Sequence, residues 1–427
     1  MKKIVITLLC AIGLSPLFAQ DSTLVLSLEQ AQDYAVRQNR SMQNAALEVK
    51  KAHAQRWQTI AAMLPQADAS GQYINMCNYE MNFMGGSMPM PNYLTANVTA
   101  SIGINGQAIV GVLLQNIAIE MQDINRKQTE AELRGNVMTA YMSVKVMESV
   151  TSLLDSTLAN MFTLAEQTRR MVEVGAAEQT QYDLMSVRVN AMKNNVNQNK
   201  RNVDLAYNTL RVLLGVKADT PLQLSSALDA ESMSSQILNL ISEPFVLENN
   251  YNYQLLQKNV DLAKKNKAMA GWAYGPTVGA SYQYQYRHNL SDGGLNMTPP
   301  NMIAVSVSMP IWSSGKRAAG VTEKKLALQE AENTLSETTD NLGIQHRQLC
   351  NNLENAYAIF LNEKENLTVT HRVMNNVVNK YTWGSASLLE LTNASNDVIS
   401  AQSTYVQASL TMIQNFVELE KFLHNEI

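Results

Sequence analysis

Cysteine is scarce in this chain of 427 residues, and long apolar runs and excess positive charge are missing from it. Of its three cysteines, Cys10 lies in an N-terminal leader, and Cys77 and Cys350 alone offer neither a disulfide framework nor a cysteine metal site. No segment reaches the roughly 20 apolar residues of a membrane helix. The formal charge is −4 and there is no basic tail or patch, which argues against a nucleic-acid partner.

Catalytic signatures are absent as well. The sequence contains no His-Glu-x-x-His motif, no Gly-x-Ser-x-Gly motif and no P-loop. Its five histidines, at positions 53, 288, 346, 371 and 424, have no metal-ligand spacing. We therefore expect a protein that is not an enzyme and that uses neither a cofactor nor a metal ion.

Proline is missing from two long windows, between Pro91 and Pro221 and after Pro310. Because an interior proline costs a helix roughly 3 kcal/mol, these windows predict long helices. Each window has apolar residues at alternating steps of three and four, which predicts a coiled-coil seam. The two seams are Leu133, Val137, Ala140, Val144, Met147, Thr151, Leu154, Leu158, Met161, Ala165, Thr168 and Val172, and Leu342, His346, Leu349, Leu353, Ala356, Phe360, Glu363, Leu367, Thr370, Met374, Val377 and Tyr381. On the helices alone, a generic soluble coiled coil remains an alternative.

Residues 1–19 predict a secretory signal peptide. Two lysines precede the apolar run from Ile4 to Leu14, and Pro16 and then Leu17-Phe18-Ala19 follow it, which places cleavage near Ala19. Cys10 stands too early in the apolar run for a lipobox. We expect the mature chain to leave the cytoplasm with a formal charge of −6, because Lys2 and Lys3 are removed with the leader.

The mature chain contains one pattern twice, displaced by 211 positions. Val49, Ala52, Pro65, Ala69, Ser70, Gln72 and Tyr73 correspond to Val260, Ala263, Pro276, Ala280, Ser281, Gln283 and Tyr284. Such self-similarity indicates a duplicated structural unit. We assign residues 20–220 to the first repeat, 221–244 to an inter-repeat linker and 245–427 to the second repeat.

Each repeat carries two stretches in which apolar and polar residues alternate, which predicts strands at about 66–78, 93–105, 276–288 and 301–312. Their length and their single apolar face are those of transmembrane strands with a polar lumen. The predicted lumen face includes Thr95, Asn97, Thr99, Ser101, Gln283, Gln285 and Arg287.

Four strands cannot cross a membrane alone, because open sheet edges leave N–H and C=O groups unpaired in lipid. A homotrimer would supply twelve strands, enough for a closed barrel in outer-membrane lipid. The helices would continue the barrel as a cylinder of coiled coils in the periplasm. A small soluble sheet that caps a helical bundle is the alternative.

Aromatic residues at both predicted strand ends favour the membrane interpretation. Trp57, Trp272 and Trp312 lie just outside one end of the strands, and Tyr79, Phe83 and Tyr93 flank the other. Amphipathic rings at two levels are typical of the girdles of outer-membrane barrels.

The chain resembles the TolC-like outer-membrane efflux proteins over nearly all of its mature length. The resemblance rests on the duplicated helix–strand–strand–helix order and on the segments 137–141, 180–184, 213–215, 310–315 and 384–391. It implies a fold that is mainly α with transmembrane β, assembled as a homotrimer with a twelve-stranded barrel and a long periplasmic α-helical barrel. It also implies two kinds of partner, a periplasmic membrane fusion (adaptor) protein and an inner-membrane efflux pump.

Two hairpin turns at about 175–180 and 384–387 would form the periplasmic tip. Gly175 and Gly384 end one helix each, and Thr180 with Asp183 and Ser387 with Glu390 fit capping boxes that begin the next. In the resembled family, acidic side chains close the pore here, and Glu390 and Asn393 match the positions of a paired-aspartate gate. Gly175 lies two residues further from its hydroxyl residue than usual, so we expect a longer first turn.

The sequence thus predicts a passive efflux channel of the outer membrane, docked to an adaptor and a pump. A soluble periplasmic coiled-coil scaffold is the alternative. Residues 76–90 include five methionines, which either form an extracellular loop without a ligand role or bind a soft ion such as Cu(I). A lumen lined by Ser, Thr, Asn and Gln is chemically permissive, so a drug, a metal ion or a protein is an equally suitable substrate and specificity would lie in the pump.

Overall fold

The protein is described by a computed structural model that covers residues 23–83, 86–225, 230–290 and 298–423. The predicted signal peptide, Met84 and His424 lie outside these residues. The helices are α1 (Leu28–Gln38), α2 (Arg40–Ala61), α3 (Gly106–Glu173), α4 (Gln179–Leu214), α5 (Ala230–Ser242), α6 (Tyr251–Gly271), α7 (Lys316–Thr382) and α8 (Leu388–Leu423). The strands are β1 (Leu24–Leu26), β2 (Gln66–Ile74), β3 (Glu80–Phe83), β4 (Gly86–Pro89), β5 (Tyr93–Asn105), β6 (Leu222–Leu224), β7 (Thr277–Asn289) and β8 (Asn301–Ser308).

The fold is mainly α, with two helix–strand–strand–helix repeats, as the sequence predicts. Helices α3 and α4 occupy most of the first window without proline, and α7 and α8 occupy most of the second. No residue of either predicted seam is exposed, and the apolar positions Val137, Val144 and Leu353 are fully buried. The heptad pattern therefore identified the packed faces of both long helices.

The four predicted strands form one antiparallel sheet in the order β2, β5, β7, β8. Two of them are shorter than the sequence suggested. Strand β2 ends at Ile74, because Cys77 and Asn78 adopt positive φ and turn the chain. Strand β8 ends at Ser308, just before Pro310, which has no N–H for the ladder.

Three other segments differ from the sequence interpretation. The apolar and polar pattern before the first strand forms two helices rather than one, because the extended backbone of Asn39 ends α1. The segment predicted as an inter-repeat linker contains β6 and α5. In the methionine-rich segment, β3 and β4 form a hairpin that pairs Met81 with Met88. Cu(I) binding by this segment stays a prediction.

The described residues divide into two compact units. The described part of the first unit comprises residues 23–39, 136–225, 230–231 and 360–413. In it, parts of α3, α4, α7 and α8 share a core in which most of the buried side chains are large and apolar. This core includes Met161, Leu164, Met185, Met192, Met374, Leu391 and Val398.

The described part of the second unit comprises residues 40–83, 86–135, 232–290, 298–359 and 414–423. It contains the four-stranded sheet and the helix ends that lead into it. Ile124, Ala131 and Tyr251 form a buried cluster. The rings of Phe245, His346 and Phe422 are stacked, with neighbouring centroids 4.9 to 6.1 Å apart. Burial lowers the pKa of the His346 side chain.

A small parallel sheet in the first unit, β1 with β6, was not predicted from the sequence. Tyr141 of α3 is buried and donates its hydroxyl to the Leu26 carbonyl at 3.2 Å. Ser27 begins α1 with a complete capping box, in which Gln30 bonds back. These contacts hold the N-terminal strand against α3.

Tyr141→Phe should destabilise this small sheet. Removal of the hydroxyl deletes a buried hydrogen bond worth about 1 kcal/mol, so β1 amides should exchange roughly fivefold faster. Hydrogen exchange followed by mass spectrometry of the N-terminal peptide tests this expectation. Tyr182→Phe in α4 is the control, and unchanged β1 exchange in Tyr141→Phe would contradict the assigned role.

Candidate functional site

The sheet of the second unit has one polar face. Its register places residues of the two repeats directly opposite one another: Thr95 opposite Arg287, Asn97 opposite Gln285, Thr99 opposite Gln283, and Ser101 opposite Ser281. All seven residues of the predicted lumen face therefore share one face of one sheet. Strand β2 extends that face with Gln66, Asp68, Ser70 and Gln72.

The opposite face of the same sheet is apolar and exposed. It consists of alternate residues of β5, β7 and β8, and the side chain of Ile303 is 77% exposed and that of Val305 is 73% exposed. Its exposed large members are Leu94, Val98, Ile104, Val278, Tyr282, Tyr284, Tyr286, Ile303, Val305 and Val307. Ten large apolar side chains exposed on one face form a patch that is unfavourable in water and typical of a membrane or protein contact.

Charged groups are few on the polar face of the sheet. Arg287 lies over the Tyr93 ring at 3.7 Å, and its Nε donates to Asn289 at 3.1 Å. Asp68 stands opposite Thr99, nearer the other end of the strands. The Asn97 side-chain oxygen is buried without a hydrogen-bond partner. This face offers water many neutral hydrogen-bonding groups and little net charge.

The first hairpin turn lies between α3 and α4 in the first unit. Gly175 adopts φ of 72°, and the N–H groups of Gly175 and Ala176 donate to the carbonyls of Val172 and Met171. This is the Schellman ending, which favours glycine because the left-handed backbone costs it nothing.

The predicted capping box of Thr180 and Asp183 is wrong. Helix α4 begins at Gln179 with Glu178 at the N-cap, so Thr180 already lies inside the first turn. Its hydroxyl donates to the Glu178 carboxylate at 3.3 Å, and Asp183 accepts from the Gln179 side chain at 2.8 Å. The earlier start also removes the reason to expect a longer first turn.

The second hairpin turn, between α7 and α8, has the same plan. Gly384 adopts φ of 69°, and the N–H groups of Gly384 and Ser385 donate to the carbonyls of Tyr381 and Lys380. Here the capping box is present, because Ser387 and Glu390 exchange two hydrogen bonds of 3.2 Å each. Both turns place five residues between their helices, 174–178 and 383–387.

Glu390 and Asn393 lie one turn apart on the exposed side of α8. Between them, Leu391 is buried, and Ala394 follows it into the core. The Glu390 carboxylate is held by the Ser387 N–H, so its orientation is fixed by the turn. Its role as a gate remains a prediction.

A cluster of ion pairs occupies the last turns of α3, next to the first hairpin turn. Arg169 binds Glu166 at 2.7 Å and also Glu173, and Arg170 binds Glu166 at 3.3 Å. Hydrogen bonds from Arg169 and Arg170 lower the pKa of the Glu166 carboxyl to about 2. Because all these groups face water, added salt should screen the cluster.

The described residues contain no group of three or more His, Cys, Asp or Glu side chains that could hold a metal ion. Cys77 is exposed and Cys350 is half-buried, and both are free thiols.

Among the described helices, none combines the length and the hydropathy needed to cross a membrane.

A duplicated helix–strand–strand–helix fold, a sheet with one polar and one apolar exposed face, and long helical hairpins define an outer-membrane export channel. A family model described as "Outer membrane efflux protein" matches residues 33–216 and 245–424, and the chain belongs to that family. It is thus an efflux channel of the outer membrane with a large periplasmic part, not a soluble scaffold.

Individual relatives agree with this assignment. The outer membrane efflux protein BepC of Brucella suis biovar 1 (strain 1330) is 23% identical over 350 residues, which cover 80% of this chain and 75% of BepC. The outer-membrane channel CmeC of Campylobacter jejuni superposes with a TM-score of 0.74 at 15% identity, over 93% of this chain and 85% of CmeC. The open state of the Neisseria gonorrhoeae channel MtrE superposes with a TM-score of 0.67 at 17% identity, over 93% of this chain and 88% of MtrE.

Proposed function

We propose that three copies of this chain close their sheets into one twelve-stranded barrel, which continues through the periplasm as a helical conduit. The observation that carries this proposal is the open sheet. Among the described residues, no strand pairs with the outer edge of β2 or of β8. In lipid, each unpaired backbone group at those edges would cost several kcal/mol.

The strand count and directions suit closure by identical copies. All three pairings within the sheet are antiparallel, and four strands per chain is an even number. Strand β8 of one copy therefore runs antiparallel to β2 of the next. Twelve strands suffice for a lumen wider than a filled eight-stranded barrel. The polar face would then line the lumen, and the apolar face would meet lipid.

Native mass spectrometry of the protein extracted from outer-membrane fractions in mild detergent tests the assembly. We expect a trimer of the mature chain. A monomer or dimer that stays in solution without detergent would overturn the shared barrel. The same spectra give the N-terminus, which we expect just after Ala19.

We further propose that the two hairpin turns dock to a periplasmic adaptor protein, which links the channel to an inner-membrane pump. Apolar side chains stand out at both turns, as Val174 is 78% exposed, Leu389 is 68% exposed and Trp383 is 85% exposed. Large apolar side chains exposed to water are unfavourable at a helix end, and they are typical of a surface that docks to another protein. Because no nucleotide-binding motif is present in the sequence, the energy for export would come from the pump.

Glu390→Gln should open the tip without disturbing its fold. Glutamine keeps the hydrogen bonds of the capping box with Ser387, so the substitution removes only the charge. If three Glu390 carboxylates, one per chain, narrow the pore and bind cations, single-channel conductance should rise severalfold and block by divalent cations should weaken.

Glu178→Gln is the matched control, because Glu178 is the N-cap of the other hairpin turn and makes no side-chain cap bond. In planar-bilayer recordings, conductance and divalent-cation block should change in Glu390→Gln and should stay at the wild-type level in Glu178→Gln. Equal conductance and equal block in Glu390→Gln and the wild type would show that Glu390 only caps the helix, a role that stabilises the fold by about 1 kcal/mol.

A further inference from the structure

Four helix ends meet at one edge of the four-stranded sheet. Strands β2 and β7 begin at this edge and β5 and β8 end there, since Gln66 pairs with Ser101, and Asn105 and Ser308 both pair with Thr277. The ends of α2 and α6 and the beginnings of α3 and α7 therefore lie side by side there, although they come from distant parts of the sequence.

None of the 37 acidic residues lies in the segments next to this edge, 52–65, 106–119, 262–276 and 309–322. The same segments contain six basic residues, which we call the basic collar: Arg56, Lys264, Lys265, Lys267, Lys316 and Arg317. The collar is therefore positively charged, whereas the chain as a whole has a negative formal charge. A trimer would carry eighteen such charges around one rim.

Basic residues form ion pairs outside the collar, whereas most of those inside it do not. Farther from the sheet, Lys258 forms an ion pair with Glu120 at 2.6 Å, and Lys51 forms one with Glu48 at 3.2 Å. Within the collar, Lys264 reaches only Asp261, at 3.6 Å. Among the described residues, no carboxylate forms an ion pair with Lys265, Lys267 or Lys316. Lys265, Lys267 and Lys316 thus present positive charge that no described carboxylate neutralises.

Exposed aromatic and aliphatic side chains lie at the same level as the collar. Trp57 and Trp272 are exposed, Ile311 is 94% exposed and Trp312 is 84% exposed. Arg317 joins the two kinds of group, because its guanidinium lies 4.9 Å from the Tyr274 ring and donates to Pro310 and Ser313. Amphipathic rings beside long basic side chains are typical of the boundary between hydrocarbon and headgroups.

From these observations we infer that the basic collar binds the phosphate groups of anionic phospholipids in the membrane leaflet next to the helices. The inference rests on the proposed barrel for the position of the membrane edge. The apolar sheet face would stand in the hydrocarbon, the tryptophans at its border, and the lysines one to two helical turns further on, where their stems reach the headgroups. An aqueous anion site would not need the flanking tryptophans.

The test uses the full-length protein with four substitutions, Lys264→Gln, Lys265→Gln, Lys267→Gln and Lys316→Gln, which spare Arg317 and its turn. The control carries Lys193→Gln, Lys217→Gln, Lys364→Gln and Lys380→Gln, four exposed lysines of the first unit. Both proteins and the wild type are titrated with phosphatidylglycerol in neutral detergent, and bound lipids are counted by native mass spectrometry. The counts are repeated with phosphatidylcholine, with glycerol 3-phosphate and at high salt.

We expect the collar variant to bind phosphatidylglycerol at least about tenfold more weakly than the wild type and the control, since each basic group at an anionic surface contributes. Wild-type binding should weaken with salt, and phosphatidylcholine binding should not differ among the three proteins. Equal phosphatidylglycerol binding in all three would overturn the inference. So would wild-type binding of glycerol 3-phosphate as strong as that of the lipid, which would assign the collar to soluble phosphate.

The same samples separate this inference from the proposed barrel. A wild type that is not a trimer refutes the barrel before any lipid is counted, whereas a trimer that is indifferent to the collar substitutions refutes only the lipid site. Ion selectivity of the reconstituted channel is the last readout. A change in selectivity without a change in lipid binding would show that the collar lines the lumen, and would overturn its assignment to lipid.

Discussion

Val305→Arg should largely abolish insertion of the protein into the outer membrane. Val305 lies at the middle of β8, on the apolar face and 73% exposed, opposite Ala280. In the proposed barrel this side chain meets hydrocarbon, where an arginine costs about 2 to 4 kcal/mol at the bilayer midplane. For each chain, that penalty corresponds to a roughly 30- to 700-fold shift of the insertion equilibrium.

Ser306→Arg is a closely matched control, because Ser306 is the next residue of the same strand and lies on the polar face opposite Gly279. The same arginine there would meet water, so the amount of trimer in outer-membrane fractions should stay near the wild-type level. Semi-native electrophoresis of folded protein measures both variants. If the two arginines reduced the trimer equally, the assignment of the two sheet faces would be wrong.

The fold could be predicted well where the pattern is long or repeated. The seam from Leu133 to Val172 has many residues that agree on one face, and a single deviating residue would not have hidden it. The strands of the two repeats support each other through their common offset of 211 positions. Alternation in β5 and β7 also fixed which side chains share a face, because the side-chain period of a strand is two.

Predictions that depended on one local contact were less reliable. The pattern Thr180-x-x-Asp183 fits a capping box as well as Ser387-x-x-Glu390 does, yet only the second forms one. The better guide was the spacing from glycine, since Glu178 and Ser387 each lie three residues after the glycine with positive φ. A Schellman ending fixes where the chain leaves the first helix, and this constraint outweighs the preference of one side chain for the cap.

The basic collar could not be seen as a patch in the sequence, because Arg56 and Lys316 are 260 positions apart. Only the strand register shows that α2, α3, α6 and α7 reach the same edge of the sheet. Long-range juxtaposition of this kind is set by sheet topology, which neither composition nor periodicity encodes locally. Sheet topology also sets the contact between Gly106 at the start of α3 and Trp272 after α6, which no local sequence pattern indicates.

Gly106→Ala should destabilise the junction of sheet and helix, although alanine normally favours a helix over glycine. Gly106 is the first residue of α3, and a Cβ there would lie 2.1 Å from two atoms of the Trp272 ring and 2.7 Å from its Cγ. Cγ is close to the root of the side chain, so the indole must leave its rotamer to make room. Overpacking of this kind costs about 1 to 3 kcal/mol, more than the helix propensity of alanine returns.

Gly111→Ala in the same helix provides the comparison, because a Cβ at Gly111 lies 3.7 Å from Thr59, an ordinary contact. We expect the midpoint of thermal unfolding in detergent to fall for Gly106→Ala and to stay level or rise slightly for Gly111→Ala. The double variant Gly106→Ala with Trp272→Ala should lose less than the two single variants together, since the clash disappears with the ring. Additive losses would mean that Trp272 does not pack against Gly106, and the tryptophan would then be free to serve the membrane boundary alone.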